Sequence, residues 1–148
     1  MIIKQTRNTL SKTYIDAVKI RHKVFVKEQG VPTTLEIDKN EALCLHFTVY
    51  HDKGKACATC RLLPNKSYKI ATLQRMAVLK DYRGDQIGQT LMTYILDYAS
   101  IQGFEKIELH AQLSAVDFYS KLGFQTIGDH FMEAGIEHVT MEKVLMLP

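Results

Sequence analysis

The sequence predicts a mixed α/β fold, in which strands and helices alternate along one domain. Short runs with alternating apolar residues, such as Glu105–His110, indicate strands. Longer runs with apolar residues three or four positions apart, as in the segment that starts at Ile87, indicate helices. The chain has 148 residues, of which 46% are hydrophobic and 24% charged, and this is enough to bury a core. We therefore expect residues 1–148 to form a single domain around a mixed sheet.

The first half of the chain predicts one helix among four strands. Thr13 is expected to cap this helix, which ends near Glu28 because Gly30 and Pro32 follow. The next segment, Thr33–Asn40, is polar and acidic and is predicted to be a loop. The predicted strands are Ile2–Arg7, Leu43–Tyr50, Lys55–Leu63 and Lys69–Leu79. Residues 51–54 form the predicted turn of a hairpin, with glycine at its end.

The second half predicts two helices and three strands. The first helix starts at Ile87, ends before Gly103 and has a core face of six residues: Ile87, Leu91, Met92, Ile95, Leu96 and Ala99. After the strand Glu105–His110, Ser114 is expected to cap a helix that ends at Gly123. Two further strands, Phe124–Phe131 and His138–Leu145, are predicted to close the sheet as a hairpin.

Composition argues against several classes of protein. The net charge of +3 is small for a nucleic-acid-binding protein, which usually has a clustered basic face. No apolar run is long enough for a membrane helix, and Met1–Lys4 has no secretory signal, so we expect a cytoplasmic protein. Three cysteines fit a reducing compartment. Cys57 and Cys60 fall on opposite faces of a predicted strand, so we expect no metal site there.

The segment between the strand Leu73–Leu79 and the helix at Ile87 has features of a phosphate site. Arg83 supplies positive charge, and Gly84 and Gly88 allow the backbone to approach a ligand closely. The first backbone N–H groups of a helix have no partners within the helix and attract anions. The alternative is an ordinary strand-to-helix connection. No P-loop or dinucleotide-binding motif is present.

Two motifs in this chain resemble those of the GNAT superfamily of acetyl-CoA-dependent N-acetyltransferases. Residues 83–88, Arg-Gly-Asp-Gln-Ile-Gly, resemble the family's pyrophosphate loop Q/R-x-x-G-x-G/A, with Gln86 in place of the first glycine of that loop. Residues 112–124 resemble the run N-x-x-A-x-x-[L/F]-Y-x-K-x-G-F, with Gln112 in place of asparagine. Val24–Pro32 and several residues after Phe131 extend the resemblance to the branch that contains ElaA and YjcF.

The resemblance implies a GNAT fold, with a central, mostly antiparallel sheet, a splay between its two middle strands, and about four flanking helices. Acetyl-CoA is the implied co-substrate, with its pantetheine on the strand Met76–Val78. The residues implied in cofactor binding are Met76, Ala77, Val78, Arg83, Gly84, Asp85, Gln86, Ile87, Gly88, Gln89, Gln112, Phe118 and Tyr119. No metal is implied.

The implied reaction moves an acetyl group from acetyl-CoA to a primary amine of a small molecule or peptide, by direct attack in a ternary complex. Tyr119 matches the family's tyrosine beside the CoA sulfur and is the implied general acid; the alternative is an ordinary core aromatic. Three residues are candidates for the general base or for the acceptor site, and each could instead be structural: His46, His110 and Glu28.

Some assignments stay open at the level of sequence. Glu28, Glu36 and Asp38 could attract a cationic amine, but a solvated surface is the favoured interpretation. Glu133 and His138 could line the acceptor pocket or fix the closing hairpin. The rival function is a non-catalytic acyl-CoA-binding sensor or partner module. Either a monomer or a homodimer is expected, without a nucleic-acid or membrane partner.

Overall fold

Seven strands and four α helices occur along residues 1–145, which are the residues that the computed structural model describes. The strands are β1 (Ile2–Thr6), β2 (Leu45–Tyr50), β3 (Ala56–Pro64), β4 (Ile70–Val78), β5 (Lys106–Gln112), β6 (Gln125–Glu133) and β7 (Ile136–Val144). The α helices are α1 (Lys12–Arg21), α2 (Thr33–Glu36), α3 (Ile87–Ile101) and α4 (Val116–Lys121). A π-helix, His22–Glu28, follows α1, and three single 3₁₀ turns are Glu41–Leu43, Lys80–Tyr82 and Leu113–Ala115.

All seven strands belong to one sheet, in the order β1-β2-β3-β4-β5-β7-β6. The pairs β1/β2, β2/β3, β5/β7 and β6/β7 are antiparallel. The pair β4/β5 is parallel, as expected for strands joined through a helix, and its ladder runs from Ile70↔Lys106 to Leu73↔Leu109. The predicted mixed α/β fold is therefore confirmed.

The chain forms two compact units, each of which is built from two separate segments. The first unit contains Met1–Leu63 and Arg75–Leu91. The second contains Pro64–Gln74 and the residues from Met92 onward. Both β4 and α3 contribute residues to each unit. Within residues 1–145, no helix combines the length and the apolar composition that a membrane span requires.

The first unit has a core in which helix and sheet residues meet. Ile20 of α1 and Val24 of the π-helix pack with Ala77 of β4, and Phe25, Ala56 and Leu79 cover this group. All residues of β2 are buried, including the polar His46 and Thr48 that alternate with apolar residues in its sequence. The helices of this unit are therefore anchored to the part of β4 that follows Gln74.

The second unit buries one face of β5 and one face of the part of α3 that begins at Met92. On α3, Met92, Ile95 and Ala99 are buried, as the spacing of apolar residues predicts. Ile107 and Leu109 of β5 are also buried, while alternate residues are half-buried or exposed. Ile87 and Leu91 are buried in the first unit, so five of the six predicted core residues of α3 are buried and the sixth, Leu96, is half-buried.

The N-terminal helix differs from its prediction at both ends. Ser11, not Thr13, is the capping residue: its side chain accepts a hydrogen bond from the Tyr14 N–H at 3.3 Å. The α-helix ends at Arg21, and the chain continues as a π-helix to Glu28, where the Gln29 N–H bonds the Val24 carbonyl five residues earlier. The wider turn explains why the apolar spacing of this segment fits a single α-helix poorly.

Two further predictions of local structure are wrong. Thr33–Asn40 is not a plain loop, because its first four residues form α2 and Glu36 is buried. Ser114 does not cap α4: it lies within the 3₁₀ turn before the helix, and the capping position is Ala115, which offers no side-chain hydrogen bond. The 3₁₀ turn orders the chain where a capping side chain would otherwise be needed.

Candidate active site

The predicted phosphate loop, residues 83–88, contains two residues with a positive φ angle. Gly84 has φ +90°, and Gln86 has φ +61°, in the left-handed region that glycine adopts most easily. The Gln86 carbonyl accepts a hydrogen bond from the Thr90 N–H at 3.0 Å, which begins the hydrogen bonding of α3. The residue that replaces the family's glycine therefore takes the conformation for which glycine is suited.

Arg83 at the start of this loop is held by two partners in the first unit. Its Nε donates to the Val78 carbonyl at 2.9 Å, and its two terminal nitrogens donate to the Glu28 carboxylate at 2.8 and 2.9 Å. Both side chains are partly exposed, Arg83 at 44% and Glu28 at 36%. Glu28, one of the candidate bases, is thus the ion-pair partner of Arg83 in this structure.

The strand segment Met76–Val78 begins immediately after a break in the regular conformation of β4. Arg75 has φ +58°, an uncommon backbone conformation for a residue with a side chain. Its guanidinium donates to the carbonyls of Leu35 and Glu36 at 3.1 and 3.2 Å. These hydrogen bonds hold the side chain of this irregular residue against the carbonyl groups of α2.

A cluster of three arginines and three carboxylates lies inside the first unit. Its members are Arg21, Glu36, Asp38, Glu41, Arg61 and Arg75. Arg21 bonds Glu36 at 2.6 Å and Glu41 at 2.8 Å, and Arg61 bonds the other oxygen of Glu41 at 2.7 Å. Burial raises the pKa of Glu41, but the hydrogen bonds and charge of Arg21 outweigh it and lower this pKa to about 2.

The ion cluster corrects the interpretation of the acidic segment. Glu36 is only 2% exposed, so the expectation of a solvated surface is wrong for this residue. Asp38 is half-buried and paired with Arg61 and Arg75. Since three positive and three negative side chains balance, the cluster offers no excess negative charge to a cationic amine.

His46, another candidate base, lies in the interior of the first unit. It is 1% exposed, and its Nε2 donates to the Glu41 carbonyl at 2.8 Å. Tyr14 packs edge-on against its ring at 4.7 Å. Burial lowers the pKa of His46, which keeps the imidazole neutral. These contacts are typical of a structural histidine.

In the second unit, the third candidate base belongs to a group of four side chains. His110 of β5, Phe131 and Glu133 of β6, and His138 of β7 share one face of the sheet, as the strand registers show. His110 Nδ1 lies 2.9 Å from Glu133 Oε1, and His138 Nε2 lies 3.8 Å from Glu133 Oε2. The Phe131 ring stacks on His138 and meets His110 edge-on. The sequence did not indicate that Glu133 lies beside both histidines.

Tyr119, the implied general acid, is buried in α4 of the second unit. It is 6% exposed, and the rings of Phe118 and Phe124 pack edge-on against it at 5.0 and 5.7 Å. Its backbone carbonyl accepts hydrogen bonds from the N–H groups of Leu122 and Phe124. The aromatic packing fixes the position of the ring. A general acid requires such a fixed position, because its proton must reach one particular atom of the ligand.

The glycine in the motif around Tyr119 has a steric role. Gly123 has φ +95°, and a Cβ built on it would collide with the Lys143 side chain. Lys143 Nζ donates to the Leu122 carbonyl at 2.8 Å and so occupies that space. Gln112, at the start of the motif, ends β5 opposite His138 of β7. No three His, Cys, Asp or Glu side chains within residues 1–145 are grouped so as to hold a metal ion.

Comparisons with known proteins identify relatives over most of the chain. The model of the acetyltransferase (GNAT) domain matches residues 9–145. YjcF of Bacillus subtilis, an uncharacterised N-acetyltransferase, is 37% identical over 129 residues, with 86% of this chain and 90% of YjcF covered. The crystal structure of Escherichia coli ElaA superposes with a TM-score of 0.84 at 25% identity, over 97% of this chain and 99% of ElaA.

A more distant structure shares the fold. An aminoglycoside 6'-N-acetyltransferase complexed with coenzyme A superposes with a TM-score of 0.72 at 15% identity, over 100% of this chain and 99% of that protein. The fold is therefore one that holds coenzyme A in another protein. The family match agrees with the two motifs in the sequence. The chain belongs to the GNAT acetyltransferase family, in the branch that contains ElaA and YjcF, and is an acyltransferase that uses acyl-CoA.

Proposed function

We propose that this enzyme is an N-acetyltransferase that moves the acetyl group of acetyl-CoA to a primary amine by direct attack within a ternary complex. The observation that carries the acyl-CoA part is the left-handed conformation of Gln86, beside Gly84 and directly before α3. It gives the loop the shape of a phosphate site although the motif lacks one glycine. Arg83 adds the positive charge, and the Met76–Val78 main chain is the proposed partner of pantetheine.

The proposed reaction forms one carbon–nitrogen bond and breaks one carbon–sulfur bond. The neutral amine attacks the thioester carbonyl, and backbone N–H groups of Met76–Val78 stabilise the oxyanion that develops. A base takes a proton from the amine nitrogen, and Tyr119 gives its phenolic proton to the departing CoA thiolate. Solvent accepts the proton from the base and returns a proton to Tyr119. Because the amine attacks the thioester directly, no covalent enzyme intermediate is needed.

Among the three candidates, the contacts favour His110 as the base. His46 is buried with one ring nitrogen bonded to a carbonyl, and the carboxylate of Glu28 is bonded to Arg83. His110 is 47% exposed, so its ring is accessible to a ligand, and Glu133 orients it. An accessible imidazole that a carboxylate orients is suited to accept a proton from a bound amine.

The rival function is a sensor that binds acyl-CoA without turnover. Two observations favour it as a second candidate: glutamine replaces the family's residue at positions 86 and 112, and Glu28 already neutralises Arg83. A sensor needs the phosphate loop, but it does not need Tyr119 as an acid or His110 as a base. Variants of these two side chains therefore separate the two functions.

The test is thiol release from acetyl-CoA with polyamines, aminoglycosides, amino acids and amino sugars as acceptors, together with calorimetric binding of CoA. We expect release with one acceptor class, a loss of at least tenfold for His110→Gln, and unchanged release for the exposed control His130→Gln. Binding without release from any acceptor would favour the sensor, and no binding would exclude both functions. A loss confined to His138→Gln would contradict the assignment of His110.

A further inference from the structure

Glu133 is an exposed carboxylate whose two oxygens face two different imidazoles, those of His110 and His138. We propose that Glu133 is the positioning residue for His110, and that it fixes the imidazole in the tautomer whose Nε2 carries the lone pair. The catalytic consequence rests on the proposed function, in which His110 is the base. The assignment of the tautomer does not rest on the proposed function, because the tautomer can be measured in the absence of any acceptor.

The tautomer follows from which atoms face each other. His110 Nδ1 lies 2.9 Å from Glu133 Oε1, within hydrogen-bond distance. An ionised carboxylate has only acceptor sites, so the hydrogen of this bond belongs to Nδ1. A neutral imidazole carries a single N–H, which leaves the lone pair on Nε2. His110 is half exposed, and Nε2 is thus the nitrogen available to an incoming amine.

Neighbouring side chains hold Glu133 and His110 in this arrangement. The ladder pairs Phe131 with His138 and Glu133 with Ile136, so the closing hairpin fixes the backbone beneath the carboxylate. Phe131 meets the His110 ring at 5.0 Å with the planes 78° apart, and this contact opposes rotation of the imidazole. The ring therefore has packing on its edge as well as a hydrogen bond on Nδ1.

His138 lies on the buried side of Glu133. Its Nδ1 donates to the Ile136 carbonyl at 2.7 Å, which leaves Nε2 facing Glu133 Oε2 at 3.8 Å. That separation exceeds a hydrogen bond, so Glu133 is bonded to His110 and only adjacent to His138. When His110 takes a proton, the negative charge of Glu133 lies directly against the imidazolium and stabilises it.

The same hairpin supplies a matched control. Glu137 of β7 lies 3.4 Å from His130 Nδ1 of β6, and both side chains are more than half exposed. Glu137→Gln therefore removes a carboxylate beside a histidine without touching His110. Glu133→Gln keeps the size of the side chain but can either donate or accept, so it no longer selects one tautomer of His110.

The experiment records long-range ¹H–¹⁵N NMR spectra of the histidine rings in the full chain, for the wild type, Glu133→Gln, Glu133→Asp and Glu137→Gln. We expect neutral His110 to be protonated on Nδ1 in the wild type and in Glu137→Gln. In Glu133→Gln it should shift to a mixture that contains the Nε2–H form. An Nε2–H form in the wild type, or an unchanged tautomer in a folded Glu133→Gln, would overturn the proposal.

Steady-state kinetics with the acceptor that the thiol-release test identifies give a second readout. We expect Glu133→Gln to lower kcat at least tenfold with the KM for acetyl-CoA unchanged, and Glu133→Asp to recover part of this loss. Wild-type turnover in Glu133→Gln despite an altered tautomer would overturn the positioning role. The expected tautomers in a chain that releases no thiol with any acceptor would instead support Glu133 as the orienting group and reject the proposed function.

Discussion

Glu28 and Arg83, 55 residues apart in the sequence, form a bidentate ion pair with nitrogen–oxygen distances of 2.8 and 2.9 Å. The pair joins the end of the π-helix to the start of the phosphate loop. Arg83 is the residue from which the family motif expects a contact with the CoA pyrophosphate. Its positive charge is therefore balanced by Glu28, and in the proposed complex a phosphate would compete with Glu28 for the same guanidinium.

Replacing Glu28 should strengthen the binding of CoA. In Glu28→Gln the guanidinium of Arg83 loses its anionic partner, so we expect the Kd measured by calorimetry to fall by up to about fivefold, the range of a partly exposed ion pair. Arg83→Gln should weaken binding instead. Glu105→Gln, which removes a carboxylate from an exposed pair with Lys69, serves as the control. Weaker binding by Glu28→Gln would mean that the carboxylate holds Arg83 in place for the ligand.

Gln86→Gly should not destabilise the protein. Gln86 has φ +61°, a conformation that costs a side-chain-bearing residue roughly 1 kcal/mol relative to glycine. Relief of this cost offsets the greater freedom of glycine in the unfolded chain. The matched change Gln89→Gly lies in α3 and should lower the free energy of unfolding by about 0.5 to 1 kcal/mol. Urea unfolding of both variants measures the difference, and equal losses would contradict this expectation.

Tyr119→Phe should separate acyl transfer from ligand binding. The substitution keeps the ring that packs between Phe118 and Phe124 and removes only the phenolic hydroxyl. We expect thiol release to fall by about 10² or more, because the leaving thiolate loses its acid, while CoA binding stays within twofold. Tyr94→Phe on the exposed side of α3 is the control. Full activity in Tyr119→Phe would show that the tyrosine is only a core aromatic.

Glu41→Gln should be strongly destabilising. Glu41 accepts hydrogen bonds from Arg21 and Arg61. In the variant, each of these two buried guanidinium groups loses one negatively charged partner. Loss of one partner in a buried ion pair costs about 3 kcal/mol or more. Glu105→Gln, which breaks the exposed pair with Lys69, should cost less than about 1 kcal/mol. Chemical unfolding compares the two variants, and similar losses would reject the structural importance of the buried cluster.

The same carboxylate predicts how stability depends on pH. Arg21 holds the pKa of Glu41 at about 2, below the ordinary value of 4.5. A lowered pKa in the folded state stabilises the protein above pH 4.5, and this contribution is lost as the pH falls toward 2. We therefore expect the difference in unfolding free energy between wild type and Glu41→Gln to shrink between pH 5 and 2. A difference that stays constant over this range would contradict the lowered pKa.

The parts of the fold that depend on neighbours in the sequence were predictable. The spacing of apolar residues after Ile87 gave the buried face of α3, and the alternation in Glu105–His110 gave a strand. The signals for the ends of helices were less reliable. Thr13 and Ser114 both have side chains that can cap a helix, but Ser11 and a 3₁₀ turn take these places, because neighbouring turns compete for the same N–H groups.

By itself, the sequence determined the mixed α/β class and the family, since each depends on patterns of residues that lie close together in the chain. Only the tertiary structure decided which charged groups are paired. Glu36 is buried against Arg21, fifteen residues earlier, and Glu133 meets His110, twenty-three residues earlier. Pairing and burial depend on how distant segments pack, and the free energy of a charged side chain depends on those partners far more than on its neighbours in sequence.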